Sequence, residues 1–497
     1  METGLASQKL AFLLFKSKLY HLSKVWGLAI ILFVIFIIAI LALSGIVHLI
    51  YFGKPPSVVF DEVFYGSFTS SYLQGNYLFD IHPPFVKLLF AFVGKIFNLD
   101  QVVVNWSSIG NSVPTEMIGL RLVPIIAGIV LPMIIYFLCR RLDFSKISSF
   151  VAGILISLEN SLVIQSRYLL PDIIMLVFGF SAILFYLEYR KKLGTKYQNW
   201  LFIISTLFAG IALSIKWIGL TFVFIIIVME LFRLLYDKVG VKPFLKQSSV
   251  FIAKYLFVSI VIYVSLFVIH FSVLKNSGQG DAFMSLEFRK DLIGSVESKD
   301  PKLVSLSFWE KFTELNRVMF TSSSGMTATH SYSSKWYTWP IMHRTIFYWQ
   351  DDNPATPDRR SYLYLLGNPF IYWLGTLSVL SLIIFAGYNL IVKKSISQNP
   401  IKTKVIIFLI VGYLANLLPY MLIGRVMFLY HYETALVFSI LTIVFWIDFL
   451  KGKKIIYVSA AILIIALSFF LYFSPLTYGL PITEKQLNSR MWLPSWR

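Results

Sequence analysis

Residues 26–50 read WGLAIILFVIFIIAILALSGIVHLI. No Asp, Glu, Lys or Arg interrupts this run, and about 20 such residues in a helix cross the apolar core of a bilayer. Comparable runs recur at roughly 118–139, 147–164, 169–188, 200–215, 217–233, 250–272, 369–392, 403–423, 427–447 and 455–473. The reading is therefore an all-α polytopic membrane protein with about 11 transmembrane helices. The runs at 200–215 and 217–233 are short and meet at Lys216, so a single longer span is the alternative there.

Composition points the same way. Of the 497 residues 57% are hydrophobic, 17% aromatic and 14% charged, with a mean hydropathy of +0.73. A soluble globular enzyme carries about 25% charged residues, so that class is excluded. The lone Cys139 excludes a disulfide framework and a cysteine-built zinc site. The formal net charge of +19 raises nucleic acid as a partner, but the basic residues are not arranged for that. If the first 25 residues, with Lys9, Lys16, Lys18 and Lys24, face the cytoplasm, every second loop is expected to be basic. Arg140, Arg141 and Lys146; Arg190, Lys191, Lys192 and Lys196; Arg233, Lys238, Lys242 and Lys246; Lys393, Lys394, Lys402 and Lys404; and Lys451, Lys453 and Lys454 meet that expectation. The positive charge reports orientation, and no nucleic-acid partner is called for.

With the N-terminus in the cytoplasm, the outer side receives two long loops, 51–117 and 273–368, and a C-terminal tail from Ser474. The whole chain, 1–497, reads as one transmembrane domain without repeats or linkers. The first span has no small-residue cleavage site before Phe60 and is expected to be a retained anchor. Ahead of it, Lys9 to Leu22 mixes Leu and Phe with Lys and is expected along the inner membrane surface.

Function is sought outside. Phe60-Asp61-Glu62 lies just beyond the first span, followed by Asp80-Ile81-His82-Pro83-Pro84-Phe85-Val86-Lys87. Adjacent carboxylates at this depth suit work on a lipid-linked substrate, one as general base and the other as its orienter. On its own, such a pair is more often a helix cap. His82-Pro83-Pro84 is an ordinary helix entry, and the run 85–97 is too short to span, so it is placed in the interface. Four cations, Arg121, Arg167, Lys216 and Arg425, fall at the outer ends of spans. A charge there needs a partner: Glu116, Asp172 or a lipid phosphate. The balance between phosphate binding and snorkelling is even for each, with the bidentate arginines favoured over the lysine. In the second loop, residues 327–340 read TATHSYSSKWYTWP. That density of aromatic and hydroxyl groups suits sugar or peptide binding, and more often marks the headgroup interface. Asn105-Trp106-Ser107 is a glycosylation sequon on the outer side.

In order, these segments resemble the protein O-mannosyltransferases, the dolichyl-phosphate-mannose protein mannosyltransferase family. The resemblance runs nearly end to end: Phe60-Asp61-Glu62-Val63; Asp80-Ile81-His82-Pro83-Pro84 with Lys87; Arg121; Ser166-Arg167-Tyr168 with Asp172; Lys216-Trp217-Ile218-Gly219-Leu220; Ser334-Lys335-Trp336-Tyr337-Thr338-Trp339-Pro340; Gly367-Asn368-Pro369; Met427-Phe428-Leu429-Tyr430-His431-Tyr432; and Ser474-Pro475-Leu476-Thr477-Tyr478-Gly479. Loop 273–368 is too short for the β-trefoil MIR domain of eukaryotic members, so the chain looks like the compact prokaryotic form. Pro171 before Asp172 is a second departure and leaves the role of that acid open.

The resemblance implies a GT-C type glycosyltransferase that moves mannose from dolichyl or polyprenyl phosphate mannose to Ser or Thr hydroxyls of proteins on the outer face, by inverting direct displacement. It implies Asp61 and Glu62 as catalytic residues, the former as base. It further implies Arg121, Arg425, Arg167 and Lys216 as donor-phosphate ligands. His82, Lys87, Asp172, His330, Lys335, Trp336, Tyr337 and His431 would support or bind substrate. No obligatory metal or other cofactor is expected beyond the lipid-linked donor. The expected surroundings are the plasma membrane, with the endoplasmic reticulum as alternative, and the expected partners are an acceptor polypeptide, a dimer mate or the translocation channel. The rivals are a transferase of another sugar or to a lipid acceptor, a transporter or flippase, and a scaffold without catalysis.

Overall fold

The structure is a computed structural model that describes residues 30–325, 329–352, 354–397 and 399–497. The expectations for residues 1–25, for the start of the first span at 26–29, and for Thr327 and Ala328 fall outside the described residues. The main helices in chain order are α1 (Ile30–Leu49), α2 (Glu62–Gln74), α3 (Phe85–Ile96), α4 (Thr115–Arg141), α5 (Lys146–Ser157), α6 (Asn160–Gln165), α7 (Asp172–Lys191), α8 (Gln198–Leu213), α9 (Trp217–Tyr236), α10 (Val241–Val273), α11 (Phe308–Ser324), α12 (Pro369–Lys393), α13 (Lys402–Leu422), α14 (Leu429–Ile447) and α15 (Lys453–Tyr478).

Among the described residues, nine of these helices are long and apolar enough to cross a membrane, and α5 and α8 are shorter apolar helices. Chain geometry shows that the short ones also cross. α4 ends on the basic side at Arg141, whereas Leu169, after α6, donates its N–H to Glu62 on the opposite side. One crossing lies between them, broken at Leu158 and Glu159, where the Glu159 carboxylate caps α6 by accepting from the Ser161 N–H. Likewise α7 runs to Lys191 on the basic side, and Lys216 before α9 is back beside Asp172 at the opposite end. α8 is therefore a full pass, and the single-span alternative at Lys216 does not hold. Its 16 residues give roughly 24 Å at 1.5 Å per residue.

The ends of α1 and α15 meet: the Tyr478 hydroxyl donates to the Val47 carbonyl at 2.8 Å, and the Tyr51 and Tyr478 rings are 5.6 Å apart. First and last spans thus run in the same direction, which requires an odd number of passes. Beyond α15 the chain stays on that side. Pro481–Ile482 (β3) adds to the antiparallel pair β1 (Ile346–Gln350) and β2 (Arg360–Leu365) of the second outer loop. Trp496 is fully buried and donates its indole N–H to the Met342 carbonyl at 2.7 Å.

Helix α3 forms over the run 85–97, which is too short to span. Val86, Phe90 and Ala91 are buried, while the apolar Phe92 (65% exposed) and Ile96 (58%) lie on its exposed face. It begins directly after Pro84, as the His-Pro-Pro sequence predicts.

Candidate active site

The first outer loop is set by a local backbone constraint. Phe60 has φ +42°, a left-handed conformation that non-glycine residues adopt only when their surroundings enforce it. Here the Phe60 N–H donates to the Tyr348 carbonyl at 3.2 Å, and the two rings stack at 4.3 Å. Tyr348 lies where the β1–β2 register shifts, and such a bulge re-aims a residue locally. Next in the chain, Asp61 precedes α2 but makes no capping hydrogen bond with its side chain, so the helix-cap reading does not describe it. Burial pushes its carboxyl up to about 7; Lys216 pulls it down, and Asp172 and Asp80 add to the rise. A group poised near neutral pH is suited to taking a proton.

Glu62 has a different place. It is fully buried, accepts from Arg121 Nε at 2.9 Å and Nη2 at 2.6 Å, and also takes the N–H groups of Val59 at 3.1 Å and Leu169 at 3.0 Å. Two further Arg121 N–H groups donate to the carbonyls of Pro55 and Ser57, both at 2.7 Å, and its guanidinium stacks over Tyr168. These bonds engage four of the five N–H donors of the arginine. This corrects two expectations. Arg121 is not on a ligand-facing wall, and Glu62 is a positioning residue that ties the loop bearing Asp61 to α4 and to the turn before α7. Arg167 is corrected in the same way. Its guanidinium donates to the carbonyls of His48, Ile50 and Tyr51 at 2.6–2.9 Å, which closes the end of α1.

The other two cations meet in a cavity of about 850 Å³, a size typical of ligand sites. Its polar end carries His82, Asp172, Lys216, Arg425, His431 and Glu433. Lys216 Nζ donates to both Asp172 oxygens at 2.7 and 2.8 Å, so its charge is matched. Arg425 has no hydrogen bond or ion pair among the described residues, and its Nε is buried without a partner. Burial, with Lys216, Arg425, Lys87 and His431 around it, holds the His82 imidazole well below its usual range, so it is neutral at pH 7. From this end the cavity continues as an apolar groove between α9 (Leu220, Phe224) and α13 (Ile410, Leu414, Leu418). Leu220, Phe224 and Leu418 are 49%, 50% and 40% exposed, so the groove opens sideways on the flank of the bundle. Asp61 is not itself a lining residue of the cavity but lies near it: its charge interacts with those of the lining residues Lys216 and Asp172, and the ring of the preceding Phe60 packs edge-on against the cavity residue Tyr430 at 6.3 Å.

The supporting residues divide. Lys87 is buried and donates to Asp80 at 2.5 Å and to the His82 carbonyl at 2.7 Å, so it holds the loop that presents His82 and is not itself on the wall. His431 is on the wall, stacked between Tyr430 at 4.5 Å and Trp339 at 5.8 Å. His330 packs edge-on against Phe428, and the Ser334 N–H donates to the Met427 carbonyl at 2.9 Å; these contacts dock the second outer loop beside the cavity. Lys335, Trp336 and Tyr337 do not line it. Lys335 and Tyr337 are exposed, and Trp336 is half-buried against the core. Glu433 was missed by the sequence reading, although an acid inside the apolar run 427–447 was a visible signal. Among the described residues no group of three His, Cys, Asp or Glu side chains is arranged to hold a metal ion.

Comparisons with known proteins bear on this arrangement. A family profile described as "Dolichyl-phosphate-mannose-protein mannosyltransferase" matches residues 36–275. A second, "C-terminal four TMM region of protein-O-mannosyltransferase", matches residues 308–496. Dolichyl-phosphate-mannose--protein mannosyltransferase 4 of Saccharomyces cerevisiae is 31% identical over 287 residues, 54% of this chain and 36% of that one. Dolichyl-phosphate-mannose--protein mannosyltransferase 5 of Candida albicans is 23% identical, over 89% of this chain and 91% of that one. The chain spans about a third of the length of several of the curated relatives it matches. Among solved structures, it is similar to the S. cerevisiae protein O-mannosyltransferase Pmt1-Pmt2 complex bound to the sugar donor. There the TM-score is 0.83 at 20% identity, over 93% of this chain and 92% of that one. ArnT from Cupriavidus metallidurans bound to undecaprenyl phosphate matches with a TM-score of 0.51 at 11% identity, over 90% and 76% of the two chains. The fold is the multispanning all-α GT-C architecture that the resemblance implies.

Proposed function

The chain belongs to the dolichyl-phosphate-mannose-protein mannosyltransferase family, and from that premise we propose that it transfers mannose from a polyprenyl or dolichyl phosphate to Ser or Thr hydroxyls of polypeptides on the outer face of the membrane. The observation that carries this reading is the join between an unpartnered carboxylate, Asp61, and a cavity with two chemically distinct ends. The apolar groove between α9 and α13 suits an isoprenoid chain. Arg425, the cation on the wall without an acid, suits the phosphate.

The step balances on these groups. The acceptor oxygen attacks the anomeric carbon, and Asp61 takes the hydroxyl proton. The bond from that carbon to the phosphate oxygen breaks with its electron pair going to the phosphate, which leaves as a monoester. Phosphate needs no proton to depart when a guanidinium takes up its growing charge. One base and one direct displacement give inversion, from a β-linked donor to an α-linked product. In this reading the basic loops face the cytoplasm, both long loops and the C-terminal segment face outside, and the plasma membrane is the location. Pairing of two chains, as in the yeast complex, is part of the proposal.

The direct test is transfer by the purified protein from a short-chain polyprenyl phosphate mannose to a Ser/Thr peptide; no transfer of mannose would sink the reading. Two further results are expected. Arg425→Ala raises the KM for donor about 10- to 100-fold, the loss of a charge-assisted hydrogen bond, with a smaller change in kcat; an unchanged KM would count against the phosphate contact. With a base whose carboxyl titrates near 7, kcat/KM rises with pH about tenfold per unit below that value and levels off above it, because only the deprotonated form takes a proton. A flat profile from pH 5 to 8 would remove Asp61 from that role.

A further inference from the structure

Glu433 takes no part in the chemistry above, and its surroundings are unusual. It follows the opening 3-10 turn Leu429–Tyr432 of α14, is 2% exposed, and lines the cavity. Neither of its carboxylate oxygens has a hydrogen-bond partner. The other buried glutamates of the bundle have partners: Glu62 has Arg121, Glu159 takes the N–H groups of Ser161 and Asn368 on one of its two oxygens, and Glu230 has Tyr186 and Arg233. Among the described residues, Glu433 is the buried carboxylate with both oxygens unsatisfied. Such a group is expensive to hold out of water unless something that binds there completes its hydrogen bonds.

The cavity limits what that can be. Lys216, the near cation, already gives its ammonium to both oxygens of Asp172, so Glu433 is left without a counter-charge. A phosphate is repelled by a carboxylate, and the wall provides Arg425 for it instead. The polyprenyl chain has no donors. The remaining part of the donor is uncharged and rich in O–H groups. Resting on the proposed mannosyl transfer, we propose that Glu433 is the sugar subsite: its carboxylate accepts hydrogen bonds from two hydroxyls of the donor's hexose and so sets which hexose is transferred. Gain of those bonds on binding, together with the fixed place of Lys216–Asp172 beside them, holds the ring between the Arg425 phosphate contact and Asp61. Glu433 is a specificity residue, not a proton acceptor in the reaction.

The test uses the full chain in detergent, a Ser/Thr peptide, and short-chain polyprenyl phosphate donors bearing mannose, each of its monodeoxy analogues, or glucose. With wild type, the donors lacking a contacted hydroxyl lose about 10- to 100-fold in kcat/KM. In Glu433→Gln and Glu433→Leu, the mannose donor itself loses a similar factor, chiefly through KM. The deoxy donors then lose little more, because the group that distinguished them is gone. Asp61-dependent pH behaviour stays as in wild type. Wild-type kcat/KM for mannose and an unaltered ranking of donors in Glu433→Gln would overturn the subsite. Glu433→Gln keeps the side-chain shape, so the comparison stands even where Glu433→Leu does not fold. No mannose transfer by wild type would instead overturn the reading on which the subsite rests, and the subsite with it.

Discussion

Asp61→Asn lowers mannosyl transfer by about 10²- to 10⁴-fold, the usual contribution of a positioned general base, while leaving donor affinity near that of wild type. The side chains are almost the same shape, so the turn at Phe60 and the start of α2 persist. What changes is that an amide cannot take the acceptor proton. Because the Asp61 side chain makes no capping bond, thermal stability in detergent is expected to stay put. That separates a chemical loss from a folding one. Burial without a local partner raises the carboxyl toward 7, and removal of that buried acid relieves a cost. Full activity in the Asn variant, measured at saturating donor, removes Asp61 from the mechanism; parallel loss of stability and activity points to a structural role instead.

Arg121→Ala has the largest expected effect on folding. Its guanidinium is 2% exposed and its partner Glu62 is fully buried, so the substitution leaves a carboxylate without counter-charge inside the protein. Breaking such a pair costs about 3–5 kcal/mol. It also strands the loop carbonyls of Pro55 and Ser57. The expected result is a lower unfolding temperature, with the donor affinity of the remaining folded protein little changed. Glu62→Leu combined with Arg121→Met is expected to recover much of the stability, since an apolar replacement of a whole buried pair is often neutral. An Arg121→Ala variant that unfolds like wild type but binds donor weakly would restore the phosphate contact read from the sequence.

These two substitutions mark what the sequence could and could not disclose. Long apolar runs alternating with basic loops made the bundle legible, because bilayer thickness and charge asymmetry act on composition alone. They also located the two long loops and the first acid. Which cation serves which anion was not legible. Arg121, Arg167, Lys216 and Arg425 look alike as charges at span ends, yet their partners lie far away in the chain: Glu62 is 59 residues from Arg121, and the carbonyls capped by Arg167 are more than 110 residues away. Only tertiary packing distinguishes a spent guanidinium from a free one. Glu433 was within reach of the sequence reading, since an acid in an apolar helix is costly wherever it lies. A search for cations near a phosphate passed over it.

The groove between α9 and α13 has an open flank, with Leu220, Phe224 and Leu418 all facing outward. A carrier lipid that docks there therefore leaves most of its tail among its neighbours in the bilayer, and only the isoprene units nearest the headgroup are gripped. Carriers of different length become interchangeable to the protein, and the spent lipid phosphate drifts away by the route its loaded form took in.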